Sequence, residues 1–142
     1  MKIVLSPGKT ALHELEQLYL NNAPFELEES AFSAVKLSSQ RLLNSIQSKQ
    51  TIYGVNTGFS KLASVRIDQD KLVSLQTNLV RSHCAGFGEP LPNNVVRLIM
   101  ALKCLSLGRG ASGVRPIVIH QLQQLANRDI IPVIPAKGSV GA

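Results

Sequence analysis

The sequence has no tryptophan, and aromatic residues make up only 4% of its 142 positions. A core must therefore be built from Leu, Ile, Val and Ala. Charge is sparse as well: charged residues are 17% against 44% hydrophobic, the balance of a globular and not a disordered chain. Only two cysteines occur, Cys84 and Cys104, and they do not form a C-x-x-C pair. This excludes a disulfide-rich scaffold, and both are expected as reduced, buried thiols of a cytoplasmic protein. The three histidines, His13, His83 and His120, are far apart, with no H-x-x-x-H spacing or clustered acidic pair, so no metal site is expected. No Ser-His-Asp grouping and no G-x-x-x-x-G-K-[ST] phosphate loop is present. Long apolar runs are missing too. None approaches the roughly 18 residues that span a bilayer, and Ile3-Val4-Leu5 is too short for a signal-peptide core. No membrane partner is expected.

What is present in excess is positive charge, a net +6. Nucleic acid must therefore be weighed. The basic residues Lys61, Arg66, Lys71, Arg81, Arg97, Lys103, Arg109, Arg115 and Arg128 are scattered and form no block interleaved with aromatics. A nucleic-acid reader shows a patch or stripe, so no nucleic-acid partner is expected.

The length fits one domain or one lobe of a larger one, and such a chain buries about two thirds of its surface. A short extended piece ends at the turn Ser6-Pro7-Gly8. Thr10 is expected to cap a helix bearing Leu12, Leu15, Leu18 and Tyr19, which ends at Asn21-Asn22-Ala23-Pro24. A second helix is expected from about Glu28 to Gln47, with Ala31, Val35, Leu42 and Ile46 on its apolar face. Asp68 can cap a third, with Leu72, Leu75 and Leu79 on one side. Gly86 to Pro92 reads as a loop. Asn93 or Asn94 opens a fourth helix bearing Val95, Leu98, Ile99, Leu102 and Leu105. Val96, Met100 and Leu107 widen its stripe, which calls for burial on several sides. A fifth helix starts near Pro116, a favourable first-turn residue, and uses Val118, Leu122 and Leu125. The prolines in residues 130–135 forbid a helix, so this apolar segment should run extended and buried. The fold class is mainly α, without repeat or linker. The end at a Gly-rich turn is unlike a complete domain and argues against an independent helical interaction module.

Two residues have both a structural and a chemical reading. His83 falls four residues after Leu79 and could extend the buried face of the third helix as a hydrogen-bonded core histidine, or could present its ring to a ligand. Tyr53 sits in the loop-forming run Tyr53-Gly54-Val55-Asn56-Thr57-Gly58-Phe59. It is either a packed loop tyrosine or a phenol delivered into a pocket. Spacing does not choose between these readings. His13 is expected on the surface, and His120, among apolar neighbours, is expected to be structural.

Several motifs in register resemble one family. Residues 53–59 resemble the tyrosine loop of the aromatic amino acid lyases. Ser82-His83-Cys84-Ala85-Gly86 resembles the Ser-His-Ala-Ala-Gly stretch of the histidine ammonia-lyase branch. Arg97-Leu98-Ile99-Met100 with Leu102-Lys103, and Arg109-Gly110-Ala111-Ser112-Gly113-Val114-Arg115, are also similar. Gly138-Ser139-Val140-Gly141-Ala142 is similar to the segment leading into the family's Ala-Ser-Gly triad. The resemblance covers nearly the whole chain. It implies that residues 1–142 are the N-terminal part of a single larger all-helical lyase subunit, with no internal domain boundary.

The resemblance implies elimination of ammonia from L-histidine to give trans-urocanate, the first step of histidine catabolism. The electrophile would be 4-methylideneimidazole-5-one, formed autocatalytically from Ala-Ser-Gly without metal. Small residues suit its compressed turn, glycine lets its nitrogen reach the alanine carbonyl, and serine supplies the leaving oxygen. Ala142 aligns with the first triad residue. Ala111-Ser112-Gly113 is a second such triplet, in a context where the family does not cyclise. Tyr53 is implied as catalytic acid/base. A phenol is normally protonated at neutral pH, so it needs a charged neighbour or another lowering influence. His83 is implied as the substrate-binding residue, since two imidazoles can pair through one donor and one acceptor. Asn56, Thr57 and Gly58 would shape the loop. The implied assembly is a cytoplasmic homotetramer whose sites combine several subunits. Two positions depart from the pattern: Ser60 stands where the family often has glycine, which tightens the loop, and Cys84 replaces a common alanine. The alternatives are a tyrosine or phenylalanine ammonia-lyase of the same family, or an N-terminal fragment that is inactive alone.

Overall fold

The computed structural model describes residues 2–48, 50–57, 67 and 69–138. Among them the order is β1 (Ile3–Leu5), α1 (Leu12–Asn21), β2 (Phe25–Leu27), α2 (Ala31–Gln47), a 3-10 turn (Gln69–Lys71), α3 (Leu72–His83), β3 (Phe87–Pro90), α4 (Asn93–Gly108), α5 (Pro116–Asn127) and β4 (Pro135–Lys137). The mainly α class expected from the sequence is the class found. The chain divides into two compact units: Met1–Leu42 with Pro90–Ile134, and Leu43–Glu89 with Pro135–Ala142.

The first unit holds the core. β1 and β2 pair in parallel, with Ile3 opposite Phe25 and Leu5 opposite Leu27. Their inward side chains Leu5, Phe25 and Leu27 are buried together with Leu18 of α1, Phe32 and Val35 of α2, Val96, Met100 and Cys104 of α4, and Ile119 of α5. Among the described residues, the outer edge of β2 has no strand beside it. Two residues four apart on α5, and hence on one helix face, satisfy it instead. Asn127 accepts the Phe25 N–H at 2.9 Å and donates to the Phe25 carbonyl at 2.7 Å. Gln123 accepts the Leu27 N–H at 3.3 Å. The edge is thereby closed to further pairing. Arg97, buried on α4, donates to Asp129 just beyond α5 at 2.8 Å.

Several expectations are corrected. Thr10 does not cap α1. Its hydroxyl accepts the Ser6 N–H at 2.8 Å and donates to the Ser6 carbonyl at 3.0 Å, closing the turn before the helix. Glu14 takes the capping role, accepting the Ala11 N–H at 2.7 Å. Asn22, at φ 48°, ends the helix in the left-handed region. The face of α4 that packs is Val96, Met100, Cys104 and Leu107, whereas Ile99 and Leu102 of the expected stripe are 40% and 43% exposed. Both faces are apolar, so periodicity could not rank them. Residues 86–92 are not all loop, because Phe87–Pro90 pairs with Pro135–Lys137. Residues 130–135 are non-helical as expected but not buried: Ile130 is 54% and Val133 78% exposed. The prolines exclude the helix without deciding what covers the segment. Asp68, the expected cap of α3, lies outside the described residues.

The Ala111-Ser112-Gly113 triplet has a packing explanation. Gly113 sits at φ +65°, and an added Cβ would lie 2.6 Å from Leu42 of α2. Its N–H donates to the Ser38 hydroxyl at 2.9 Å. Glycine is required here by close approach to α2.

Two outcomes follow. Asn127→Leu leaves the Phe25 N–H and carbonyl unpaired, so it should cost roughly 2–4 kcal/mol in denaturant unfolding and speed exchange of the Phe25 amide. An unchanged midpoint would contradict the edge closure. Burial pushes the Cys104 thiol up from 9.0 to about 12. The folded state thus holds this proton more tightly than the unfolded one. The resulting stabilisation is complete below about pH 9 and is lost as pH rises through about 12. Near neutral pH a thiol reagent should therefore label Cys84 rapidly and Cys104 only on unfolding.

Candidate active site

The second unit carries both Tyr53 and His83. Tyr53 and Gly54 are the central residues of a tight turn closed by the Val55 N–H on the Ile52 carbonyl at 3.1 Å. Gly54 has φ +75°, the left-handed conformation that glycine supplies at the third position of such a turn. Tyr53 is 58% exposed. The base of the turn is built around Asn56, whose side chain is buried. Its amide oxygen accepts the Ile52 N–H at 2.7 Å and its amide nitrogen donates to the Gln50 carbonyl at 2.7 Å. The Asn56 carbonyl in turn accepts the Ile67 N–H at 2.9 Å. Sequence reading gave Asn56 only a loop-shaping part. The signal available was an Asn two residues beyond a Tyr-Gly turn, since Asn side chains commonly substitute for backbone partners.

α3 joins this loop to His83. Gln76 on α3 donates to the Gly54 carbonyl at 3.4 Å, a long and weak bond that nonetheless sets the helix beside the turn. His83 is the last residue of α3 and is exposed, not part of a buried face; none of the helix's residues is buried. Its Nδ1 lies 2.8 Å from the Leu79 carbonyl. A carbonyl can only accept, so in the neutral ring Nδ1 carries the proton and Nε2 keeps its lone pair. The Ser82 hydroxyl donates to the same carbonyl at 2.9 Å and stands 3.1 Å from Nδ1, flanking the ring on the helix side. Cys84, expected to be buried, is exposed, with its thiol 2.9 Å from the Val80 carbonyl.

The segment after His83 is held close to the segment that leads toward Ala142. A Cβ on Gly86 would lie 2.9 Å from Pro135, and a Cβ on Gly138 would lie 3.3 Å from the Gly86 Cα. The Lys137 ammonium stands 5.8 Å over the Phe87 ring, adding a cation–π contact between the paired strands. Ala142 itself and Ser60 lie outside the described residues. His13 is exposed, as expected. His120 stacks on Phe32 with ring centroids 4.5 Å apart, a structural role. Among the described residues, no three of His, Cys, Asp and Glu gather as metal ligands. Nor is any helix among them long and apolar enough to cross a membrane.

The aromatic amino acid lyase profile matches residues 10–142. The chain belongs to the aromatic amino acid lyase family. It is 49% identical, over its full length, to a histidine ammonia-lyase of Bartonella tribocorum, and spans 28% of that relative's length. Among solved structures it superposes on a tyrosine aminomutase from Streptomyces globisporus with TM-score 0.91 and 30% identity, covering 98% of this chain and 26% of that one. A histidine ammonia-lyase from Trypanosoma cruzi gives TM-score 0.86 at 30% identity, covering 98% and 27%. The turn of Tyr53, the helix end at His83 and the strand before Gly138 all lie within the region the family profile matches.

The tautomer is directly testable. With the histidines labelled by nitrogen-15, the neutral His83 ring should show its proton on Nδ1. A proton on Nε2 would contradict the bond to Leu79.

Proposed function

We propose that this chain is the N-terminal part of a histidine ammonia-lyase subunit, and that the whole enzyme converts L-histidine to trans-urocanate and ammonia, opening histidine catabolism. The observation that carries the reading is the ring of His83. It is exposed at the end of α3 with Nδ1 committed to Leu79, and Nε2 remains as the one acceptor for an incoming N–H. A substrate imidazole has that N–H. The 49% identity to a relative named histidine ammonia-lyase supports the same substrate.

The chemistry requires removal of a weakly acidic β-proton and loss of a poor leaving group. In this reading His83 binds and orients the imidazole, and the Tyr53 phenol, at the tip of a turn fixed on both sides, exchanges the β-proton. Once formed, 4-methylideneimidazole-5-one would supply the electrophile that activates the substrate's amine. Of its Ala-Ser-Gly triad the chain contains only Ala142. Toward that residue, glycine at 138 permits a close approach to Gly86, since an added Cβ would lie 3.3 Å from the Gly86 Cα. The proposed assembly is a cytoplasmic homotetramer with sites shared between subunits, the 142 residues alone being inactive.

A tyrosine or phenylalanine ammonia-lyase is the alternative, and the likeness to a tyrosine aminomutase keeps it in view. A phenol O–H could also donate to Nε2. In the full-length protein, His83→Leu should lower kcat/KM for histidine by about tenfold or more while leaving the thermal midpoint nearly unchanged. Tyr53→Phe should retain the ultraviolet absorbance of the electrophile and lose about a hundredfold or more in kcat. Unchanged histidine turnover in His83→Leu would remove that ring from substrate recognition, and near-normal turnover in Tyr53→Phe would eliminate the phenol as acid/base.

A further inference from the structure

We infer that Asn56 is a positioning residue for Tyr53, holding the Tyr53-Gly54 turn in one preformed geometry through its own side chain. The inference rests on the reading of Tyr53 as the acid/base and deepens it. Three observations carry it. Asn56 is only 3% exposed although it lies in an irregular segment, so its amide is committed to the interior of the loop. Its oxygen and nitrogen bridge two backbone groups ahead of the turn, the Ile52 N–H and the Gln50 carbonyl, each at 2.7 Å. Its backbone closes the same turn from the other side: the Asn56 N–H donates to the Ile52 carbonyl at 3.2 Å.

Ile52 is thus held through both its N–H and its carbonyl by one residue. Tyr53 follows Ile52 directly, so its backbone continues from a residue fixed at both of its polar groups. The phenol therefore departs from a fixed Cα, while its exposed ring remains able to reach substrate. A loop closed only by backbone bonds would let that Cα wander. Displacing a reacting group by about 1 Å can cost about a hundredfold in rate. Only a short side chain with one acceptor and one donor can make this bridge.

The test is a double-mutant cycle in the full-length enzyme, read by ammonia release from its best amino acid substrate. Asn56→Ala should lower kcat by about a hundredfold, with KM changed little, because the substrate-binding His83 lies on α3. In a Tyr53→Phe background the same substitution should cost almost nothing further, since the group it positions is gone. Asn56→Asp keeps the acceptor for Ile52 and loses the donor to Gln50. Its rate relative to the parent should fall less and should rise as pH is lowered, when the protonated carboxyl can donate again. Hydrogen exchange supplies a readout independent of turnover: the Ile52 amide should lose protection in Asn56→Ala. Equal losses in the two backgrounds, or an Ile52 amide that stays protected, would overturn the positioning role. A parent that releases no ammonia from any amino acid would instead overturn the reading of Tyr53 itself, and this inference with it.

Discussion

Asn127 gives its amide oxygen to the Phe25 N–H and its amide nitrogen to the Phe25 carbonyl, doing for β2 what a third strand would otherwise do. The buried architecture depends on this kind of bond. A backbone donor or acceptor left unpaired away from water costs on the order of 1–3 kcal/mol, and short strands and irregular loops leave several. The chain meets the need with polar side chains. Asn127 and Gln123 cover the edge of β2, Ser38 receives the Gly113 N–H, and Asn56 bridges Gln50 and Ile52. The same device that seats α5 on the small sheet therefore also shapes the loop bearing Tyr53.

Helix positions were legible because their determinants are local. Pro116 opens α5, Asn22 closes α1, and the apolar spacing from Ala31 to Val35 marks the buried side of α2. Pairing in the sheets was not legible. β2 and β3 are three and four residues long, and their partners are distant in sequence. The Asn127 bond to Phe25 joins residues 102 apart, and no periodicity announces it. Burial was legible only where one face of an element is apolar. α4 is apolar on two sides, and the packed side had to come from the structure. Thr10 failed as a cap for a related reason: a hydroxyl suited to cap α1 serves equally well to close the Ser6 turn, and the turn takes it.

The site divides along the same line. Spacing left Tyr53 and His83 with two readings each, and the family resemblance singled them out. What each group can do depends on contacts that sequence does not contain. The Nδ1 bond to Leu79 fixes His83 as an acceptor through Nε2, and the buried amide of Asn56 fixes the base of the Tyr53 turn. On α3 the expected side is the covered one: Leu72, Leu75 and Leu79 are half-buried while the rest of the helix is exposed, and none of the three is fully buried. The chain spans 28% of the length of its curated relative.

On the proposed function, the acceptor ring of His83 and the phenol of Tyr53 would form the N-terminal share of a histidine-deaminating site. The most direct test is to offer the full-length enzyme L-histidine and L-tyrosine in competition and follow urocanate and coumarate by their ultraviolet absorbance. The account predicts that urocanate forms at a far higher kcat/KM than coumarate. Preference for tyrosine would contradict the assignment of substrate, and release of neither product would contradict the lyase reading as a whole.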